Sequence, residues 1–254
     1  MKLPIIKSAI IAGGLALGAS SAYAGDALTV VSWGGAYTKS QIEAYHKPYT
    51  AKYGTKIQSE DYNGGLAEIR AQVEAGKITW DVVDLEVSDA ARGCDDGLFE
   101  KISAGSLPNG VNGALPSKDF IPGALQECAV GTIVWSTIYA YDADKYKSKK
   151  PTTISDFFDV KKFPGKRGMR KVPKVNLEWA LMADGVDGKD VYKVLATKAG
   201  QDRAFKKLDT IKNDVLWWEA GAQPPQMLAD GEVVMTSAYN GRIFNAAVTE
   251  KKNF

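Results

Sequence analysis

Hydrophobic and polar positions alternate along this chain with two periods in turn. Leu28 to Ser32 has the short β-rich character of a strand and runs into a Gly34-Gly35 turn. Thr38 to Tyr53 carries its apolar residues at helical spacing, and a kink is predicted near Pro48, because proline removes a donor and crowds the preceding turn. Lys56 to Asp61 reads as a second strand, Asn63-Gly64-Gly65 as a turn, and Leu66 to Ala75 as a helix with Leu66, Ile69 and Val73 on one face. Trp80 to Leu85 is a third, buried strand. Strand, turn, helix and strand in repetition predict an α/β fold. In an open parallel sheet the ligand lies beyond the carboxyl ends of the strands. That rule points to three loops, Trp33 to Tyr37, Tyr62 to Gly65 and Leu85 to Ser88, which carry aromatics, glycines and a carboxylate.

A Gly/Pro/Asn-rich connector from Gly105 to Pro122 and a β-rich run from Ala129 to Tyr141 lead into a second α/β region. Its strands are expected at Gly168 to Val172 and Val233 to Tyr239, and its helices at Leu177 to Ala183, Val191 to Leu195 and Arg203 to Ile211. The expected division is a first lobe over 25–134, a second over 135–240, and the start of a return segment over 241–254. Residues 1–24 read as a secretory signal peptide: Lys2 and Lys7, an apolar run from Ser8 to Leu17, and a small-residue exit at Ala22-Tyr23-Ala24. The run is far shorter than the roughly 20 residues of a membrane-spanning helix, so cleavage after Ala24 and a periplasmic location are expected.

Charge and composition narrow the function. The chain has 32 Lys and Arg against 30 Asp and Glu, and cleavage would remove two lysines, leaving the mature protein formally neutral. A neutral chain with interspersed charge has no footprint for nucleic acid or anionic lipid. The Lys145 to Lys150 run reads as a solvated loop. His46 is the single histidine and lies among Ile42, Tyr45 and Tyr49 at helical spacing, the pattern of a packing residue. That argues against Ser-His-Asp and Cys-His catalysis, and against a transition-metal site, which usually draws on several His or Cys ligands. No metal and no cofactor are expected. Cys94 and Cys128 read as one disulfide in an oxidising compartment, with two separate buried thiols as the alternative. Gly34-Gly35 and Lys39-Ser40 fail as a phosphate loop, since Thr38 stands where glycine must precede the lysine. Asp84 and Glu86 are a carboxylate pair that a secreted hydrolase would use, although a cation-facing cleft is the simpler reading.

Four segments, in order, resemble the polyamine-binding proteins of ABC importers. They are Ser-Trp-Gly-Gly-Ala-Tyr at 32–37, Asp-Phe-Phe-Asp-Val-Lys-Lys-Phe-Pro-Gly-Lys-Arg-Gly at 156–168, Leu-Glu-Trp-Ala-Leu-Met-Ala-Asp-Gly at 177–185, and Ala-Asp-Gly-Glu-Val-Val-Met-Thr-Ser-Ala-Tyr-Asn-Gly-Arg at 229–242. The resemblance implies a type II periplasmic binding protein, two α/β lobes with a ligand cleft between them, working with an inner-membrane ABC permease as a monomer. It implies that aromatic rings hold the methylenes of a polyamine while carboxylates pair with its amines, as cation–π attraction and charge-assisted hydrogen bonds favour. Carried over by position, Trp33 and Tyr37 are the first-lobe aromatics, and Glu178 opens a second-lobe helix. Trp218 with Glu219 is an aromatic-acidic pair of a second-lobe loop, and Tyr239 precedes Asn240-Gly241. Glu86 and Ser136 complete the expected contacts, with the hinge near Trp135 to Thr137.

Three departures matter. Val175 stands where relatives often have a second carboxylate, one helical turn before Glu178. Arg242 would repel a diamine but suits a carboxylate, which leaves a γ-amino acid open as ligand. Members of the family continue well past Tyr239, so the resemblance implies a shortened relative, with the C-terminal part of the first lobe missing. The alternative ligand on the same fold is Fe(III) or another anion-like solute, because helix N-termini in these loops suit anions.

Overall fold

The computed structural model describes residues 27–254, so the expected signal peptide lies outside the described residues. The expected α/β architecture is present as two sheets. The first consists of β1 (Leu28–Ser32), β2 (Ile57–Asp61) and β3 (Val82–Val83) in the order β2-β1-β3, all parallel. The second contains β4 (Thr137–Tyr141), β5 (Arg167–Arg170), β6 (Val215–Trp218) and β7 (Met235–Tyr239) in the order β4-β7-β5-β6. There β5, β6 and β7 run parallel, and β4 pairs antiparallel with β7.

Local chemistry explains where elements stop and start. The helix after β1 begins at Gly35 and runs to Tyr53, but Ile42–His46 is a π turn. The widened turn closes at Lys47, immediately before Pro48, which has no N–H to donate and would crowd a regular turn. Gly54, at φ 75°, ends the helix in the left-handed region that glycine occupies without strain. In the second lobe Thr153 and Asp156 form a reciprocal capping box that starts the Ile154–Phe158 helix. Thr197 accepts from the Gly200 amide to start Lys198–Asp209, which therefore begins five residues earlier than the hydrophobic period indicates.

Several strand expectations contract. The third strand narrows from Trp80–Leu85 to Val82–Val83, and Ala129–Tyr141 forms a strand only over Thr137–Tyr141, with an isolated Leu125–Val130 bridge before it. Trp218, expected with Glu219 in a second-lobe loop, ends strand β6 (Val215–Trp218), which pairs with β5. On β5, Arg167 is fully buried and, among the described residues, has no carboxylate in ion-pair reach; its guanidinium instead donates to the carbonyls of Phe157, Gly165 and Phe163 at 2.7, 2.6 and 2.6 Å. Those three carbonyls satisfy the charge in a core of Phe157, Phe163, Met169, Leu181, Ile211 and Met235 on one face of the second sheet. Trp218, Leu228, Val233, Ala238 and Ile243 fill the other face. Cys94 and Cys128 are bonded, with Cα atoms 5.7 Å apart, which ties the Val87–Asp95 helix to the connector before β4.

Residues after Tyr239 form the Asn240–Phe244 helix and a second π turn, Asn245–Thr249. Phe254 packs against the second-lobe cluster around Trp218, and the Ala143 amide donates to the Asn253 carbonyl. At its start, the same stretch reaches the first lobe, where Arg242 Nη2 donates to the Trp33 carbonyl at 2.7 Å.

Candidate ligand-binding cleft

Strand register decides which side chains meet. Pairing sets Ser32 opposite Asp61 and Val31 opposite Val83, so Trp33, Tyr62 and Asp84 all follow the same edge of the first sheet. In the second sheet Arg170 lies opposite Trp218, and Gly168 opposite Thr236, so Arg170, Trp218 and Tyr239 share the corresponding edge. Both are carboxyl edges, and between them lies a cavity of about 2280 Å³, lined from both lobes. Its size exceeds a small ligand's needs because it runs on under the face of the first sheet that carries Leu28, Val30 and Ile57.

The first-lobe wall is held by backbone. Trp33 Nε1 and the Tyr62 hydroxyl both donate to the Asp84 carbonyl, at 3.0 and 2.6 Å, and the two rings lie 5.3 Å apart. Gly64, at φ 84°, sits so near that a Cβ there would lie 2.2 Å from the Trp33 ring. Across the cleft Tyr239 meets Trp33, Trp218 and Trp135 edge to face at 6.3, 5.7 and 5.1 Å. Burial pushes the Tyr239 phenol up to about 12. Burial first, and then the Asp84 carboxylate, raise the Tyr37 and Tyr62 phenols further. All of these rings are therefore neutral at physiological pH.

The charges are arranged differently from the expected cation-facing cleft. Glu86 is not free: Arg170 Nη1 binds one of its oxygens at 2.7 Å and Lys174 Nζ the other at 2.5 Å, and Lys174 also reaches Asp89 at 3.0 Å. Burial opposes ionisation of Glu86, but the hydrogen bonds from Lys174 and Arg170 outweigh it and hold the carboxyl below its ordinary value. Asp84 is committed as well, accepting from Ser32 Oγ at 3.2 Å and Gln41 Nε2 at 3.0 Å. Both carboxylates of the pair are thus hydrogen-bonded to neighbouring side chains. Arg242 is the opposite case, 6% exposed, with one hydrogen bond to a backbone carbonyl and, among the described residues, no carboxylate in ion-pair reach. Burial lowers its pKa.

Most of the other expected residues border the same space. Trp33, Tyr37, Glu86, Glu178, Trp218, Tyr239 and Arg242 line the cavity. Trp218 belongs to strand β6 and the core rather than a loop, yet its Nε1 is buried without a partner among the described residues, as are the Tyr239 hydroxyl, Ser237 Oγ and Glu178 Oε2. Two expected residues lie outside the cavity lining. Glu219 points away from the cavity, largely exposed, and pairs with Lys171 at 3.1 Å, because the end of β6 turns it outward beside β5. Ser136 contributes backbone only: its amide donates to Asn240 Oδ1 at 3.1 Å and its carbonyl accepts from the Asn240 amide, which joins the two crossings between lobes. Val175, the departure beside Glu178, is the N-cap of the Asn176–Ala183 helix at φ 71°, a strained conformation for a β-branched residue. The π turn holds His46, which is buried, meets Ser59 Oγ at 3.0 Å and borders the cavity where it runs on under the first sheet. Sequence reasoning passed over Arg170, Lys174 and Tyr62. Tyr62 fell in a loop already marked as a ligand loop, but the other two carried no signal beyond membership of basic runs. Among the described residues no three His, Cys, Asp or Glu side chains gather as a metal site, and no helix is long and apolar enough to cross a membrane.

Two α/β lobes, facing each other with their strands' carboxyl ends around an aromatic and charged cleft, define a two-lobed solute-binding protein. The chain belongs to the bacterial extracellular solute-binding protein family, whose model matches residues 44–254. It is 48% identical over 230 residues to a γ-aminobutyric acid-binding protein of Pseudomonas aeruginosa, covering 91% of this chain and 63% of that one. The chain thus spans less than two thirds of that relative's length. Among solved structures it resembles the PBP MotA from A. tumefaciens B6 in complex with glucopine, with TM-score 0.81 and 32% identity over 89% of this chain and 68% of that one. It also resembles the Atu4243-GABA receptor, with TM-score 0.71 and 34% identity over 88% of this chain and 66% of that one.

Proposed function

We propose that the protein is the periplasmic solute-binding component of an ABC importer and that it captures a small zwitterion of the γ-amino acid type. The observation that carries this reading is Arg242, a buried guanidinium in the cleft with no carboxylate partner among the described residues. A buried cation without a partner is costly, and a ligand carboxylate supplies the planar, paired acceptor that guanidinium fits. The unpartnered donors Trp218 Nε1, Tyr239 hydroxyl and Ser237 Oγ on the same lobe offer further hydrogen bonds to that end. The ligand's ammonium is received by aromatic faces and by Glu178, whose buried Oε2 has no partner. The relative that binds γ-aminobutyric acid, at 48% identity, supports this ligand class.

A polyamine, implied by the resemblance in the sequence, suits the aromatic walls equally well. It does not suit Arg242, and it has no carboxylate to balance the cleft's cations. A binding role is favoured over a catalytic one, since Asp84 and Glu86 are both committed to neighbours. In action the lobes close about the crossings at Ser136 and Asn240, water leaves the cleft, and the closed form docks on the permease. Thermal unfolding with γ-aminobutyrate, putrescine or spermidine in excess tests the proposal. At about a hundred times its Kd the bound ligand adds roughly 2.7 kcal/mol. γ-Aminobutyrate is expected to raise the midpoint and the polyamines to leave it in place; a shift with the polyamines alone would sink the zwitterion reading.

A further inference from the structure

The cleft contains an aromatic cation slot that is already filled by the chain itself. Arg170, at the end of β5, places its guanidinium carbon 5.3 Å from the Trp33 ring centroid and 5.8 Å from that of Tyr239. Its Nη1 donates to Glu86 at 2.7 Å and its Nη2 to the Asn63 carbonyl at 3.2 Å. The side chains of Arg170 and Glu86 are only 12% and 11% exposed, so the interaction is largely shielded from water. Two aromatic faces, a carboxylate and a backbone carbonyl around one cation are the recognition set of an organic amine. Here the amine's place belongs to a residue of the second lobe, while Trp33, Asn63 and Glu86 come from the first.

We propose that Arg170 is the specificity-determining residue that excludes polyamines, by occupying as an internal cation the slot that one end of a diamine would take. A diamine entering this cleft must displace a guanidinium from Glu86 or place its ammonium beside it, and either costs more than the aromatic contact returns. A zwitterion meets no such conflict, because its carboxylate is attracted by Arg170 and Arg242 and its ammonium goes to the Glu178 side. Lys174 does not replace Arg170 in this role. It binds the far oxygen of Glu86 and Asp89, and among the described residues its ammonium lies over no aromatic ring, unlike the Arg170 guanidinium. The proposal deepens the γ-amino acid reading and depends on it for the nature of the accepted ligand, but exclusion of the diamine can be measured separately.

The test is isothermal titration of putrescine into the wild type, Arg170→Gln and the double variant R170Q/E86Q, with γ-aminobutyrate titrated into the wild type as a separate arm. That last arm reports only on the zwitterion reading. Arg170→Gln empties the cation slot and leaves Glu86 with Lys174 as partner, so putrescine affinity is expected to rise about thirty-fold over the wild type, the factor for one charge-assisted hydrogen bond from its ammonium to the Glu86 carboxylate. The double variant is expected to lose that gain. Retained wild-type-like cooperative unfolding qualifies each variant, and Arg170→Met takes the place of the glutamine variant if that one does not fold. Equal putrescine affinity in wild type and folded variant overturns the proposal, as does a gain that survives removal of Glu86.

Discussion

Replacing Arg242 with methionine separates binding from stability in a way that few substitutions in a cleft do. The side chain is 6% exposed and donates one hydrogen bond, from Nη2 to the Trp33 carbonyl at 2.7 Å. Methionine keeps most of the apolar volume of the arginine stem. In the unliganded protein two effects oppose one another. Removing a buried cation that is ion-paired to no carboxylate among the described residues, and whose burial outweighs the attraction of Asp61, relieves a desolvation cost, while the Trp33 carbonyl loses a donor worth about 1 to 3 kcal/mol. The unfolding free energy without ligand is therefore expected to stay within about 1 kcal/mol of the wild type. Binding has no such compensation. Losing a charge-assisted pair to the ligand carboxylate costs about 3 kcal/mol, about 160-fold in Kd. At a γ-aminobutyrate concentration of a hundred wild-type Kd, the wild type gains roughly 2.7 kcal/mol and R242M only about 0.3. Urea unfolding with and without the ligand measures both quantities. A variant that still gains the wild-type increment refutes the assignment of the carboxylate to Arg242, and a variant that loses several kcal/mol without ligand shows that the residue is structural.

Two further outcomes follow from the same geometry. The Cys94–Cys128 link closes a loop with a sequence separation of 34 residues, so C94S/C128S is expected to lower the unfolding free energy by about 4 kcal/mol, read as a fall in the urea midpoint; a change under 1 kcal/mol would contradict the loop-entropy account. Glu86 has its folded-state pKa depressed by Lys174 and Arg170, so its contribution is fully present above the unfolded carboxyl value of about 4.3 and disappears as pH falls through the lower folded value. The stability gap between wild type and Glu86→Gln is expected to be constant from pH 7 to 5 and to close below pH 4, and a gap that widens on acidification would show the sign to be wrong.

Position along the strands was legible in the chain, and partnership across the cleft was not. Trp33 could be marked because it directly follows a hydrophobic run that reads as a strand, and carboxyl ends point at the ligand in such sheets, whereas Tyr239, at the end of β7, was marked only by the family resemblance. Glu86 shows where that reasoning stops. A carboxylate at a strand end looks the same in sequence whether it awaits an amine or already holds Arg170 and Lys174, which are 84 and 88 residues away. Glu219 and Trp218 illustrate the same point at one strand end, since Trp218 ends β6 and borders the cavity while the next residue, just past the strand, is exposed and pairs with Lys171.

Arg167 and Arg170 make the contrast sharpest. Both belong to one basic stretch, and nothing in their neighbours distinguishes them. The pleat and pairing of β5 bury Arg167 among carbonyls in the core and carry Arg170 to the edge of the cleft between Trp33 and Tyr239. The sequence by itself determined the alternation of strands and helices, the α/β class and the edges at which chemistry would gather, because these depend on period and turn residues that act over a few positions. The balance of charge in the cleft, and with it the proposed preference for an acid-bearing ligand over a polyamine, rests on the tertiary structure, because the interaction of two charges depends on their separation in space and on the water between them, neither of which the order of residues records.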